Sequence, residues 1–296
     1  MALDYAQLKA AELPVTRQVL HPDDCIIYAL GVGAGLASPS QLGDETRFLF
    51  EEGLKALPSQ ASVMAYPGFW MRDEAYGLDW RRIVNAELRI ALRHQLPTAG
   101  DLTGRTTVSA IQDKGEGRGA LVLTDRSVCD ASGEEIAVVS QVNFCRGDGG
   151  YSRGNDQMSD PLPVAIPKPP QGEPSASFEL TTGHQQAAIY RLTGDRNPLH
   201  IDPAAAKAAG YPKPIMHGAA TAGMVCRVLA SIRDAATTQF LAEFQLRFTG
   251  ILFPGDLLRV DLWHLADGGI SFRCSTVRDS ERQEVAFGTA KWSNEQ

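Results

Sequence analysis

The sequence predicts an α+β chain built from two copies of one unit, each a curved antiparallel sheet around a helix, with the helix of the first copy reduced. Three observations point there: two triplets of strand-like runs with similar spacing, a Gly-Asp-Leu entry ahead of each triplet, and one small-residue, apolar helix confined to the second half. With 296 residues the chain is long enough for two ordinary domains or for one doubled unit.

Composition narrows the function before any motif is read. Hydrophobic residues make up 44% and charged residues 21%, close to the globular average, which excludes a fibrous or wholly disordered chain. A net charge of -7 with no run of Lys and Arg argues against nucleic acid as a partner, while leaving room for a local basic patch. Cys25, Cys129, Cys145, Cys226 and Cys274 form no C-x-x-C pair, so buried free thiols in a reducing compartment are expected and a structural zinc is not. The opening residues lack a basic-then-apolar leader, and no apolar run approaches the ~18 residues of a membrane span. A soluble, cytoplasmic protein is therefore expected.

In chain order, residues 24–30 have a helical rather than an extended pattern, and 76–84 form a short, aromatic-rich helical stretch. Strands are expected at 102–111, 120–129 and 135–145, with turn residues between them. In the last of these, Ile136, Val138, Val142 and Phe144 share a face by period-two spacing, interrupted by Ser140. Gly, Pro, Asp and Ser then replace the apolar periodicity over residues 146–175, a connection of about 30 residues that is long for the inside of a compact domain. The expected organisation is a first unit over 1–150, a linker over 151–176 and a second unit over 177–296.

In the second unit a helix is expected over 184–192 and a stronger one over 217–234, whose first turns are Ala, Gly and Thr and whose apolar face carries Met224, Val225, Val228, Leu229 and Ile232. Small residues around a helix suit close enclosure by other backbone. Strands follow at 257–265, 270–277 and 284–292. The stretch 76–84 is the weak counterpart of the 217–234 helix. One helix wrapped by a curved sheet, made twice, is a double hotdog.

Two glycine motifs mislead. GVGAG at 31–35 has Leu36 where a nucleotide loop needs its third glycine, and GEGRGA at 115–120 lies between two strands and opens no helix, so a glycine-rich hairpin is expected there. Of the histidines, His21, His94, His184 and His264 stand without clustered partners.

The chemistry concentrates in TGDRNPLHIDP at 193–203. Asp202, followed by Pro203 and alanines, reads as a helix N-cap, and Asn197-Pro198 reads as a turn. Capping does not account for Asp195 and His200, which flank that turn. A nearby carboxylate raises an imidazole pKa while burial lowers it, so the two side chains suit an acid/base pair holding one water. A metal site of Asp195, His200 and His217 is the alternative, without the shared-face spacing such a site usually shows; a purely structural role is the third.

The run YRLTGDRNPLHIDPAAAKAAGYPKPIMHG at 190–218 resembles the signature of the MaoC-like (R)-specific enoyl-CoA hydratases, also called hydratase 2. DDCIIYALGVGAG and LPTAGDLTGRTTVSAIQDKGEGRGALVL resemble the N-terminal hotdog of the same family, so the resemblance covers most of the chain. It implies a hydro-lyase on acyl-CoA with Asp195 and His200 as the catalytic pair, Asn197 fixing water or substrate, and Gly218 supplying a backbone N–H to the thioester oxygen. It also implies substrate contacts from Lys114, from Arg196, Pro198 and Leu199 around the pair, and from Phe248. Asn85-Ala86 stand where many relatives carry His-Gly, which bears on substrate preference rather than on reaction type. No cofactor or metal is implied, and a homodimer is expected. A thioesterase and a silent acyl-binding module are the competing functions. A first unit lacking its full helix would have room for an acyl chain.

Overall fold

The computed structural model describes residues 3–36, 42–232 and 239–293. The first half holds α1 (Tyr5–Lys9), β1 (Thr16–Leu20), α2 (Pro22–Gly31), β2 (Ile83–Leu92), β3 (Gly100–Asp113), β4 (Ala120–Cys129) and β5 (Glu135–Cys145). The second holds β6 (Ala176–Thr181), α3 (Gln186–Tyr190), α4 (Pro203–Ala208), α5 (Gly218–Ser231), β7 (Leu241–Phe248), β8 (Leu257–His264), β9 (Ile270–Arg278) and β10 (Glu281–Trp292). Asp234, the expected end of α5, lies outside the described residues.

The strands join into one antiparallel sheet in the order β1-β3-β4-β5-β2-β7-β10-β9-β8-β6. Read inward from its two edges, the sheet runs β1-β3-β4-β5-β2 and β6-β8-β9-β10-β7, which makes β3 the equivalent of β8. Those are the two strands entered through Gly-Asp-Leu, at Gly100-Asp101-Leu102 and at Gly255-Asp256-Leu257. The double hotdog therefore stands, with one refinement: its two half-sheets are continuous. They meet where β2 pairs β7, with Leu88 opposite Leu246 and the Glu87 carboxylate 3.0 Å from the Arg247 guanidinium.

α5 fills the concavity of the second half, and ten of its 14 residues, Ala220 to Leu229, are buried. Its small residues let other backbone close in: a Cβ at Gly223 would run into Val32. α2 approaches α3 as tightly, since a Cβ on Gly31 would stand 2.9 Å from the Tyr190 Cα. Within GVGAG, Gly31 thus serves helix packing, while Gly33 and Gly35 take positive φ where the chain leaves α2. GEGRGA is the β3–β4 hairpin, with Gly115, Gly117 and Gly119 all at positive φ.

The element that packs beside α5 from the first half is a five-residue 3₁₀ turn, Pro58–Ser62. This, rather than the expected stretch 76–84, is the reduced helix. Residues 74–82 form two short turns whose aromatics pack away from α5, against a second buried cluster and the preceding turn, Tyr76 edge-on to Trp70 at 5.0 Å and Trp80 edge-on to Phe69 at 6.3 Å.

Residues 146–175 carry no strand, and they lie along the sheet as a strap. Asp160 takes hydrogen bonds from the Tyr5 hydroxyl, Lys9 and the Ile111 N–H, Arg89 donates to the Val164 carbonyl, and the Ser175 N–H donates to the Leu262 carbonyl. Among the described residues no helix is long and apolar enough to cross a membrane.

Candidate active site

α3 runs into a 3₁₀ turn, Arg191–Thr193, and stops at Gly194, whose φ of +133° is open to glycine and strained for other residues. The chain reverses there and presents Asp195. The Asp195 carboxylate accepts the Asn197 N–H at 3.1 Å, and the Asn197 side-chain oxygen accepts the Leu199 N–H at 3.1 Å. Pro198 opens the 3₁₀ turn that ends on His200. Two successive side-chain-to-backbone bonds thus fix the five-residue step from Asp195 to His200. Asp202 then caps α4 through the Ala204 N–H at 2.9 Å, with Pro203 in the first helical position, as expected.

His200 is buried and its Nδ1 lies 3.0 Å from the Ile215 carbonyl. A carbonyl only accepts, so Nδ1 carries the proton and Nε2 keeps its lone pair. His217, the residue that caps α5, donates from Nε2 to the Asp195 carbonyl at 3.1 Å and leaves Nδ1 buried without a partner. The two imidazoles stack at 3.7 Å with planes 28° apart. Burial lowers the pKa of His200, with the charge of Asp195 opposing it, and lowers that of His217 well below the ordinary value, with His200 adding to the effect. Both rings are neutral around pH 7.

Ligand-capable atoms of Asp195, His200 and His217 lie within 4.8 Å of one another. Stacked rings direct their in-plane lone pairs side by side instead of at one point, so the geometry favours proton transfer over a shared ion.

Asp195 and His200 face a cavity of about 870 Å³ whose walls come from both halves of the chain. Asn197, Leu199, Gly218 and Phe248 line it from the second half and Asn85, Ala86 and Lys114 from the first. Gly218 is the first residue of α5, where backbone N–H groups lack intrahelical acceptors, and the Phe248 ring lies 3.2 Å from where a Cβ on Gly218 would stand. Asn85 and Ala86 sit at a break in the β2–β5 register, a bulge that turns the strand toward the cavity. Of the other two residues expected to touch substrate, Arg196 is exposed and Pro198 half-buried, and both lie off the cavity wall. His21, His94, His184 and His264 also lie off the wall.

Three residues of this region stand outside the sequence-based expectations for the reaction. Tyr66 comes from the first half and packs over Gly194 beside Asp195. Arg146, which lines the cavity from the first half as Lys114 does, has no ion pair among the described residues, whereas Arg247 and Arg278 are held by Glu87 and Asp256. His217 lay in the quoted motif, yet its bond to Asp195 depends on the fold.

Residues 165–285 match the family described as MaoC like domain, and residues 20–147 match the MFE-2 hydratase 2 N-terminal domain. The chain is 34% identical over 252 residues to 3-hydroxyacyl-thioester dehydratase Y of Mycobacterium tuberculosis, covering 84% of each. It is 34% identical to the peroxisomal multifunctional enzyme type 2 of Drosophila melanogaster over 90% of this chain, spanning 44% of that longer protein. A crystal structure of a MaoC-like dehydratase from Phytophthora capsici superposes with a TM-score of 0.80 at 26% identity, covering 99% of this chain and 100% of that one.

Proposed function

The chain belongs to the family of MaoC-like dehydratases and hydratase 2 enzymes, and on that footing we propose that it adds water reversibly to a trans-2-enoyl-CoA to give a (3R)-3-hydroxyacyl-CoA. The observation that carries this reading is the meeting, on one cavity wall, of the Asp195 carboxylate, a neutral His200 with a free Nε2, and the N-terminus of α5 at Gly218.

A water held between Asp195 and His200 Nε2 gives up a proton to the pair as its oxygen bonds to C3. The displaced π electrons move onto the thioester oxygen, which becomes enolate-like, and C2 then takes a proton back from the pair. The two groups titrate as a unit, so the pair is both base and acid across the step. The Gly218 N–H and the positive end of α5 stabilise the developing oxyanion. Asn197, its oxygen occupied by the Leu199 N–H, has its amide NH₂ left to orient the water or the substrate. Lys114 and Arg146 bind CoA phosphates, Phe248 and Leu199 border the thioester, and Asn85-Ala86 border the acyl group. In this division residues 1–150 supply acyl and CoA contacts and residues 177–296 supply the reacting groups.

The test is loss of the conjugated enoyl absorbance on incubation with crotonyl-CoA, followed alongside thiol release. Hydration consumes absorbance and releases no thiol. Asp195→Asn and His200→Gln should each abolish it while leaving the unfolding transition in place; full activity in both variants would discard the mechanism.

A further inference from the structure

The sheet face that looks into the cavity from the first half is polar in its middle. On β4 the inward residues run Val122, Thr124, Arg126, Val128, and opposite them on β5 stand Asn143, Gln141, Val139 and Ala137. Asn85 of β2 pairs Asn143, and Thr106 of β3 pairs Arg126, so all of these share one face. Apolar clusters lie at both ends of the face, Val128 and Ala137 in the core around α5 and Val122 with Ala120 in a second core. Between them Arg126, Thr106, Thr124, Gln141 and Asn143 form a polar band, interrupted on β5 by Val139.

Arg126 is the charged member of the band and is 3% exposed. Its Nη2 donates to the Ala61 and Ser62 carbonyls, at the end of the turn that replaces the first helix, and the face of the Tyr66 ring lies 5.3 Å away. Those contacts explain one nitrogen. Nε meets no acceptor, the Asn85 side-chain oxygen across the band meets no donor, and no carboxylate forms an ion pair with Arg126 among the described residues. Burial lowers its pKa to about 10, which still leaves it charged at neutral pH. A buried cation without a counter-charge is costly, and an arriving anion would relieve that cost.

There is space beside Arg126 for one oxygen of such an anion, the rest of the group lying in the large cavity. A side cavity of about 20 Å³, bordered by Arg126, Thr106, Thr124 and Trp70, shares Tyr66, Phe69, Gln141 and Asn143 with the large cavity. It accommodates about one oxygen-sized group.

We infer that the acyl pocket of this chain is built for an acyl group ending in a carboxylate, with Arg126 as the counter-charge and Gln141 and Asn143 as flanking donors. The inference rests on the acyl-thioester reading above and adds the substrate class. Tyr66 stands between Asp195 and Arg126, so the carboxylate lies one aromatic ring beyond the reacting carbons, and the substrate is a short to medium enoyl thioester of a dicarboxylic acid.

Saturated ligands separate this from the hydration chemistry. Calorimetric binding to the wild-type protein is compared for adipoyl-CoA against hexanoyl-CoA and for suberoyl-CoA against octanoyl-CoA. The carboxylate member of at least one pair should bind about tenfold more tightly or better. Arg126→Met should remove that preference, with Gln141→Leu reducing it should the arginine variant fail to fold. Equal or weaker binding of the carboxylate member in both pairs overturns the carboxylate site alone, as does a preference that survives in a folded Arg126→Met. Failure of all four ligands to bind overturns the acyl-thioester reading together with it.

Discussion

His200 lies flat on His217, ring centroids 3.7 Å apart, and each imidazole gives its one proton to a backbone carbonyl, Ile215 for His200 and Asp195 for His217. His217 is thereby a positioning residue: it holds the backbone of Asp195 and the plane of His200 without lining the cavity. His217→Phe preserves a stacking ring and deletes the bond to Asp195. Its kcat should fall by about tenfold to a hundredfold, with KM changed little, because the pair is displaced and not removed. Steady-state kinetics checks this, and a KM rise at constant kcat would assign His217 to binding.

The same burial makes the site pH-sensitive. Both histidines have folded-state pKa values below the ordinary imidazole value, so the unfolded chain binds their protons more readily. Stability from this source is fully present above about pH 6.5 and is lost as pH falls below it toward the depressed folded values. The urea midpoint should therefore drop between about pH 7 and pH 5, and the acid limb of kcat should lie below 6.5. In Asp195→Asn the charge that raises the His200 value is gone, and an imidazole titration followed by NMR should move lower still.

Gly218 faces Phe248 closely: a Cβ there would stand 3.2 Å from Cε1 and Cζ of the ring, so the ring or the helix start must give by a few tenths of an ångström. Gly218→Ala should push the ring and the start of α5 apart and reduce kcat by about a hundredfold, the scale of a displaced oxyanion donor. Adding Phe248→Leu should restore part of the loss by removing the obstructing ring edge. Activity in the single and double variants, measured together, decides it.

Arg227, in the middle of α5, is clamped by both oxygens of Glu45 at 2.7 Å, with each side chain at most 6% exposed. Arg227 also donates to the Val32 carbonyl, and Glu45 accepts the Gly35 N–H, so the pair ties the GVGAG segment to the central helix. Glu45→Gln leaves a buried cation short of its partner and should cost about 3–5 kcal/mol. Replacing both residues by Met should recover most of that, as read from denaturant midpoints.

Local chemistry was legible from the sequence and long-range pairing was not. The turn Asn197-Pro198, the Asp202 cap and the strands led by Gly-Asp-Leu depend on neighbours within a few residues, and the structure has them where the sequence put them. The join between the half-sheets depends on Glu87 and Arg247, 160 residues apart, and leaves no local trace. Gln141 and Asn143 alternate with Val142 and Phe144 as residues of a solvent-facing side do, yet they point at the cavity. Tyr66, Arg126 and Arg146 reach the site through the fold of the first half, so no motif around the reacting pair announces them. The stretch 76–84 reads only as a weak counterpart of α5, too short and aromatic to match it, and the five residues at Pro58–Ser62 that take that place show no helical period to read.

That short turn has a consequence for how such a chain changes over generations. α5 spans about 21 Å and the turn opposite it about 10 Å. Shortening one of two duplicated elements frees one copy from the demands of the chemistry kept by the other. Residues bordering the vacated space, Arg126 among them, are then open to replacement while Asp195 and His200 stay fixed, so new ligand preferences arise without the reaction being invented again.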